Sequence, residues 1–342
     1  MAGGRVSTVV FDADVLGRQR TGDETYALNL LRELGQLAPG AGIRLVAVTR
    51  HPELVPAGVE PFELRARPQE LRMAWTLPRA LRSVGADLCH TQYALPLRPP
   101  CPCVVTVHDV SFARGAELMG RKDRMIFRLV VPRAVRHAAC VLTVSERTKS
   151  DLIELYGIPE GRIVVTPNGV DPAFSPGPGS HDYVLSVGAI QSRKNQLAAL
   201  EAAAAVGLPL VVAGPAKNPD LASELRGRGA RVEGYVQTTR LAELYRGAAC
   251  LVQTSRYEGF GLPVVEAMAS GTPVVAVPDP ALEEVAGGAA VLVDESDLAA
   301  GIRTALAQRE RLVAAGLERV KAFDWRRAAE RTLAVYREIL GT

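Results

Sequence analysis

The sequence contains no uncharged apolar run near the roughly 18 residues that a membrane span requires. Its first residues, MAGGRVSTVVFDADV, lack the apolar h-region of a signal peptide and run straight into a strand-like segment. A cytoplasmic chain is therefore expected. Cysteine is scarce and odd in number: Cys89, Cys101, Cys103, Cys140 and Cys250, with no CxxC spacing. That pattern is neither a disulfide framework nor a zinc site, and buried free thiols are the simplest reading. Net charge is nearly absent: 40 Lys+Arg against 37 Asp+Glu gives +3. Charge alone thus gives no reason to expect a nucleic-acid partner. No GxGxxG follows a strand, which argues against a nicotinamide dehydrogenase, and there is no P-loop.

What is present is an ordinary globular composition, 48% apolar and 23% charged, over 342 residues. That length suggests two domains. Short β-branched runs at 6–11, 43–48, 86–90, 103–108 and 140–145 read as buried strands. Amphipathic stretches such as 24–37 lie between them, with Leu28, Leu31, Leu34 and Leu37 at helical spacing. Alternation of this kind builds βαβ units and a parallel sheet. PAFSPGPGS (172–180) can form neither helix nor ladder and reads as a linker. Strand and helix patterns then restart at 182–188, 194–206 and 209–214, with further strands at 250–255, 272–277 and 289–293. The expected architecture is α/β, with two Rossmann-like parallel-sheet domains facing an interdomain cleft. The domains would span 1–172 and 181–323, joined by a linker at 173–180, with a C-terminal helix at 324–342 crossing back to the first.

The segment SRYEGFGLPVVEAMASGTPVVAV (255–277) is the most informative. It leaves a strand, passes a turn at Gly259 and Gly261, and enters a helix at Leu262, where Pro263 suits the first turn. Backbone N–H groups at a helix start bind phosphate or sugar oxygens, and glycines let a ligand approach. Glu258 and Glu266 are separated by seven residues. One carboxylate can hold a sugar at the turn and the other a vicinal diol one helical turn on. Glu266 sits inside VVEAMA, apolar on both sides, and a buried carboxylate needs partners.

This stretch resembles the E-x7-E signature of retaining glycosyltransferase family 4, the group 1 glycosyltransferases, which have the GT-B fold. Further segments follow in that family's order: 21–31, 105–112, 144–159, 163–176, 185–196 and 234–248. VTVHDVSF and SRKNQ look most like bacterial mannosyltransferase-type members. The resemblance implies that Glu258 and the turn Gly259, Phe260, Gly261 and Leu262 hold the donor sugar. Val265 would belong to the donor site, and Glu266 would bind the ribose hydroxyls. Arg193 and Lys194 would bind the diphosphate. Cations at a helix start oppose its dipole, so a bound anion explains them better than bare solvation. His108, with Asp109, would stand at a strand end near the reaction centre, Asp109 ordering the loop. Gly22 would approach the phosphates, Gly188 would belong to the donor site, and Gly234, Tyr235 and Val236 would line the base pocket. The sequence departs from the family at two points. Asp23 and Glu24 follow the single glycine of the first loop, and Ala189 stands where several relatives carry arginine.

Asp12-Ala13-Asp14 matches the metal-binding D-x-D of a different transferase fold, but no further oxygen ligands accompany it. No metal or other cofactor is expected. The stretch 121–138 carries six Lys/Arg and one acid, interleaved with Met125, Phe127, Leu129, Val130 and Val131. A core-packed helix with a solvated basic face is the favoured reading, because the apolar residues form no single stripe. Peripheral contact with an anionic membrane is the other. Trp75 and Tyr93 offer aromatic faces to an acceptor.

The resemblance implies transfer of a hexose from a nucleoside-diphosphate sugar to a hydroxyl acceptor, a sugar or a lipid-linked one. GDP-mannose is favoured as donor and a UDP-hexose is next. Transfer would proceed with retention, by front-face attack and without metal; no nucleic acid takes part. A nucleotide-sugar-binding partner subunit without turnover, or an epimerase or phosphorylase of the same fold, are the alternatives.

Overall fold

The computed structural model describes residues 6–18, 21–64, 72–115 and 120–342. The chain divides into two compact units. The first is built from residues up to Ala113, Arg121–Gly169 and the C-terminal Trp325–Thr342; the second is built on Val170–Asp324.

The first unit holds seven strands among the described residues: β1 (Ser7–Asp12), β2 (Ile43–Thr49), β3 (Glu60–Glu63), β4 (Leu88–Gln92), β5 (Cys103–Val107), β6 (Cys140–Thr143) and β7 (Ile163–Val165). All pair parallel, in the order β3-β2-β1-β4-β5-β6-β7. Val9, Val10, Phe11, Val104 and Val105 are fully buried, as expected of strands covered on both faces. The second unit repeats the plan with β8 (Tyr183–Val187), β9 (Leu210–Ala213), β10 (Arg231–Gly234), β11 (Ala248–Gln253), β12 (Val274–Ala276) and β13 (Val291–Leu292). Their order is β10-β9-β8-β11-β12-β13, again parallel. Both sheets therefore reverse winding direction once, between β1 and β4 in the first and between β8 and β11 in the second. Such switch points are where open α/β sheets bind ligands.

The expected strands form, each shifted by a residue or two. The structure adds β3, β7 and β10. β3 and β10 carry charge or proline and lie at sheet edges, so they lack the apolar signature of a central strand. The helix Arg121–His137 continues through Pro132. The C-terminal helix Trp325–Leu340 packs in the first unit against the helix Thr21–Leu37. The Trp325 ring meets Tyr26 edge-on at 6.2 Å, and Arg326 reaches Glu33 at 3.5 Å. The proline-rich stretch forms neither helix nor strand and is anchored at one point, where Phe174 is buried edge-on against Tyr245 at 5.6 Å. Five free cysteines are present, four of them buried.

Candidate functional site

In the second unit the site grows from the carboxyl ends of β8 and β11, the two strands that flank the winding reversal. After β8 the chain turns through Gly188 into the short helix Ser192–Lys194, and Asn195 adopts φ 49° before the helix Gln196–Ala205. After β11 it runs through Thr254–Tyr257 to Glu258. The two loops are fastened together. The Arg256 N–H donates to the Arg193 carbonyl at 3.0 Å, and the Thr254 hydroxyl lies 2.8 Å from the Lys194 carbonyl.

The sequence-expected residues Arg193, Lys194 and Glu258 converge here. Lys194 Nζ is 2.5 Å from Glu258 Oε1, and Arg193 Nη1 is 3.6 Å from Oε2. Gln253 Nε2 also donates to Oε1, at 2.5 Å, and Arg193 Nη1 donates to the Tyr257 carbonyl at 2.5 Å. Glu258 is buried, which by itself would raise its pKa. The charges of Lys194 and Arg193 outweigh burial and hold the carboxyl down to about 2.

Beyond Glu258 the chain turns through Gly259–Gly261 and enters the helix Leu262–Ala269. Gly261 has φ 107°, a backbone conformation that L side chains rarely adopt, so the turn requires glycine. Glu266, on that helix, is buried rather than solvated. The Tyr245 hydroxyl donates to its Oε2 at 2.8 Å. Burial pushes Glu266 up to about 7; the tyrosine opposes the shift and Asp171 adds to it. Two carboxylates eight positions apart are thus shifted in opposite directions, one firmly ionised and one near its midpoint at neutral pH.

Gly188, Gly214 and Gly234 lie at the ends of β8, β9 and β10. The Gly188 N–H donates to the Ala213 carbonyl at 2.9 Å, and the Gly214 N–H to the Gly234 carbonyl at 2.7 Å. A Cβ at Gly214 would fall 2.1 Å from the Gly188 carbonyl oxygen, so only glycine permits this approach. Tyr235 and Val236 follow directly and are partly or fully exposed. Leu262 is half-buried, with Phe260 and Val265 buried beside it.

Sequence reading passed over four residues of this arrangement: Gln253, Tyr245, Gly214 and Asp279. Asp279 caps the helix Pro280–Ala286 through the Ala281 N–H at 2.9 Å, while its other oxygen lies 3.4 Å from the Glu258 N–H. Each sits 5 to 26 residues from its partner in the site, and its role depends on the packed fold.

The first unit carries its own cluster. His108 follows β5, and its Nε2 lies 2.7 Å from Gln92 Oε1 at the end of β4. Tyr26 packs edge-on against its ring at 4.6 Å, and Tyr93 lies at 5.5 Å. Burial lowers the His108 pKa against the opposing charges of Asp23 and Asp109, which favours the neutral ring. Asp109 orders the loop by accepting the Ser111 N–H at 2.9 Å. Gly22 lies in the first turn of the helix Thr21–Leu37, followed by Asp23 and Glu24, and Glu24 accepts the Gly17 N–H at 2.7 Å. Trp75 is exposed.

Asp12 and Asp14 are engaged by guanidinium groups. Asp12 pairs with Arg72, and Asp14 with Arg18, with Arg50 at 2.7 Å and with Arg72 at 3.3 Å. Both carboxylates are neutralised by arginine in the fold.

The family model described as Glycosyltransferase Family 4 matches residues 20–174, and that described as Glycosyl transferases group 1 matches residues 171–318. The O-antigen chain mannosyltransferase B of Escherichia coli is 30% identical over 298 residues, covering 78% of this chain and 77% of its own. The sucrose-phosphate synthase structure from Thermosynechococcus elongatus superposes with a TM-score of 0.79 at 20% identity, over 98% and 99% of the two chains. The Anabaena HepE structure in complex with UDP and glucose gives 0.75 at 16%, over 98% and 100%. The chain belongs to the group 1 glycosyltransferases and has the two Rossmann-like domains of the GT-B fold.

Proposed function

We propose that this glycosyltransferase moves a hexose from a nucleoside-diphosphate sugar to a hydroxyl acceptor with retention at the anomeric carbon. GDP-mannose is the favoured donor, supported by the likeness to an O-antigen mannosyltransferase, and a UDP-hexose is next, supported by the likeness to HepE. The observation that carries the reading is the convergence of Arg193, Lys194 and Glu258 beside the start of the helix Leu262–Ala269.

In this reading Lys194 and Arg193 stabilise the diphosphate as the glycosidic bond breaks and negative charge collects on it. Glu258, ionised and held by both cations, positions the sugar through its hydroxyls. Glu266 takes the ribose diol. The acceptor oxygen bonds to the anomeric carbon on the face the diphosphate leaves, and its proton passes to a diphosphate oxygen. Two cationic side chains and a helix start supply the electrostatics, so no metal is required; the arginine pairing of Asp12 and Asp14 supports this. Wild-type protein should release nucleoside diphosphate from its sugar donor when an acceptor is supplied. Equal release without acceptor would point to a hydrolase, and none under any condition to a partner subunit.

The acceptor is proposed to be reached at an anionic membrane surface. No described helix is long and apolar enough to cross a membrane. The helix Arg121–His137 has two apolar faces rather than one. Val131, Ala134 and Val135 are buried, with Phe127 against Phe112 and Tyr93. Met125 and Leu129 stand 63% and 71% exposed on the opposite side. Helical spacing puts Arg121 and Arg128 to one side of that pair and Lys122 and Arg133 to the other. Apolar residues between cations suit shallow insertion among anionic lipids.

A further inference from the structure

A buried chain of polar contacts links the C-terminal helix to the histidine of the first unit. Tyr336, on the helix Trp325–Leu340, hydrogen-bonds His90 Nδ1 on β4. His90 Nε2 lies 2.7 Å from the Thr106 hydroxyl on β5, and that hydroxyl lies 2.9 Å from the Tyr26 hydroxyl on the helix Thr21–Leu37. The Tyr26 ring stands edge-on to His108, centroids 4.6 Å apart at 80°. All four linking residues are at most 1% exposed. The two terminal-side helices and two neighbouring strands are thus joined at one point beside His108.

We propose that Tyr336, His90 and Thr106 are positioning residues for His108: they fix the Tyr26 ring, and that ring with Gln92 sets the orientation of the imidazole. This rests on the reading of His108 as a residue of the reacting side. A hydroxyl has one proton and two lone pairs, so Thr106 can satisfy His90 and Tyr26 together in few arrangements. His90 also meets Phe11 edge-on at 4.6 Å, leaving its ring little room to turn. Burial, reinforced by the nearby His108, holds His90 down to about 3, so it stays neutral at working pH. His108 in turn is gripped on three sides, by Gln92 through Nε2 and by the Tyr26 and Tyr93 rings. Within the chain of contacts, Tyr26 is the member whose ring stands against His108, so the hydroxyls of Tyr336 and Thr106 bear on the imidazole through it. The network also gives the C-terminal helix a role in the site beyond covering apolar surface.

Tyr336→Phe and Thr106→Val each delete a hydroxyl with little change of volume. Both should lower kcat about 5- to 20-fold while leaving the donor KM within twofold, because an orientation effect enters the transition state and not donor binding. Nuclear magnetic resonance provides a readout independent of turnover. The His108 ring signals, assigned by their loss in His108→Ala, should shift and broaden in Tyr336→Phe. Unchanged kcat, or unchanged His108 ring signals in a folded Tyr336→Phe variant, would overturn the proposal. Should Tyr336→Phe prove unstable, Tyr26→Leu tests the same link, since it removes the ring that meets His108. Full turnover in His108→Ala would sink the assignment of His108 itself, a result separate from the ring-signal outcome.

Discussion

Lys194 and Glu258 are 64 residues apart in the chain, yet Nζ and Oε1 are 2.5 Å apart at the junction of β8 and β11. Glu258 is buried and Lys194 partly so, and Arg193 stands as a second cation on the same carboxylate. An ionised carboxylate between two cations leaves the cluster with one net positive charge, which suits a ligand that becomes more negative as its bond breaks.

Lys194→Ala and Arg193→Ala should each lower kcat by about 10²- to 10³-fold, the scale of losing one preorganised partner of developing charge. Release of nucleoside diphosphate in the presence of acceptor measures this. Near wild-type turnover in either variant would remove that residue from the machinery.

Glu258 has a folded-state pKa of about 2 against an ordinary 4.5. Its stabilisation is therefore present above pH 4.5 and is lost as the pH falls toward 2. Glu258→Gln should lower the melting temperature most at neutral pH, and the gap from wild type should narrow below pH 4.5 and close only as the pH approaches 2. A gap of constant size would mean that charge pairing is not its origin.

Glu266 behaves in the opposite sense. Its folded pKa of about 7 lies above the ordinary 4.5, so the native state holds a proton that the unfolded chain has released between those values. Stability falls as the pH rises through that window, by about 3 kcal/mol in all. Glu266→Gln should melt higher than wild type at pH 8 and bind nucleoside diphosphate about tenfold more weakly, as judged by calorimetry. Equal affinity would refute its ribose-binding role.

Met125→Glu with Leu129→Glu should abolish co-sedimentation with vesicles containing anionic phospholipid while leaving the melting temperature within a degree or two, since both side chains are exposed. Equal binding to neutral phosphatidylcholine vesicles, or no binding by the wild type, would refute the docking face.

What the sequence displayed plainly were features compressed into short segments. EGFGLP joins a carboxylate, two glycines and a helix-starting proline in six residues, and Arg193–Lys194 lie next to each other after a strand. Hidden from it were contacts whose partners are distant or whose signal is generic. Gln253 ends an apolar strand and looks like any strand terminus, while Tyr245 reads as one aromatic on an amphipathic helix. Arg72 meets Asp12 across 60 residues, so a D-x-D that looked unattended proves to be occupied by arginine. The helix Arg121–His137 was legible as basic and mixed, but its two separate apolar faces emerge only once Phe127 is seen turned inward and Leu129 outward.

The placement of Trp325–Leu340 in the first unit makes that unit discontinuous, with the second inserted within it. As the chain leaves the ribosome, the second unit is complete once residue 324 has emerged, whereas the first still lacks the helix that carries Tyr336. The later unit in the sequence can therefore finish folding before the earlier one. A nascent chain stalled just short of residue 325 would present the uncovered flank of Thr21–Leu37 to chaperones and proteases.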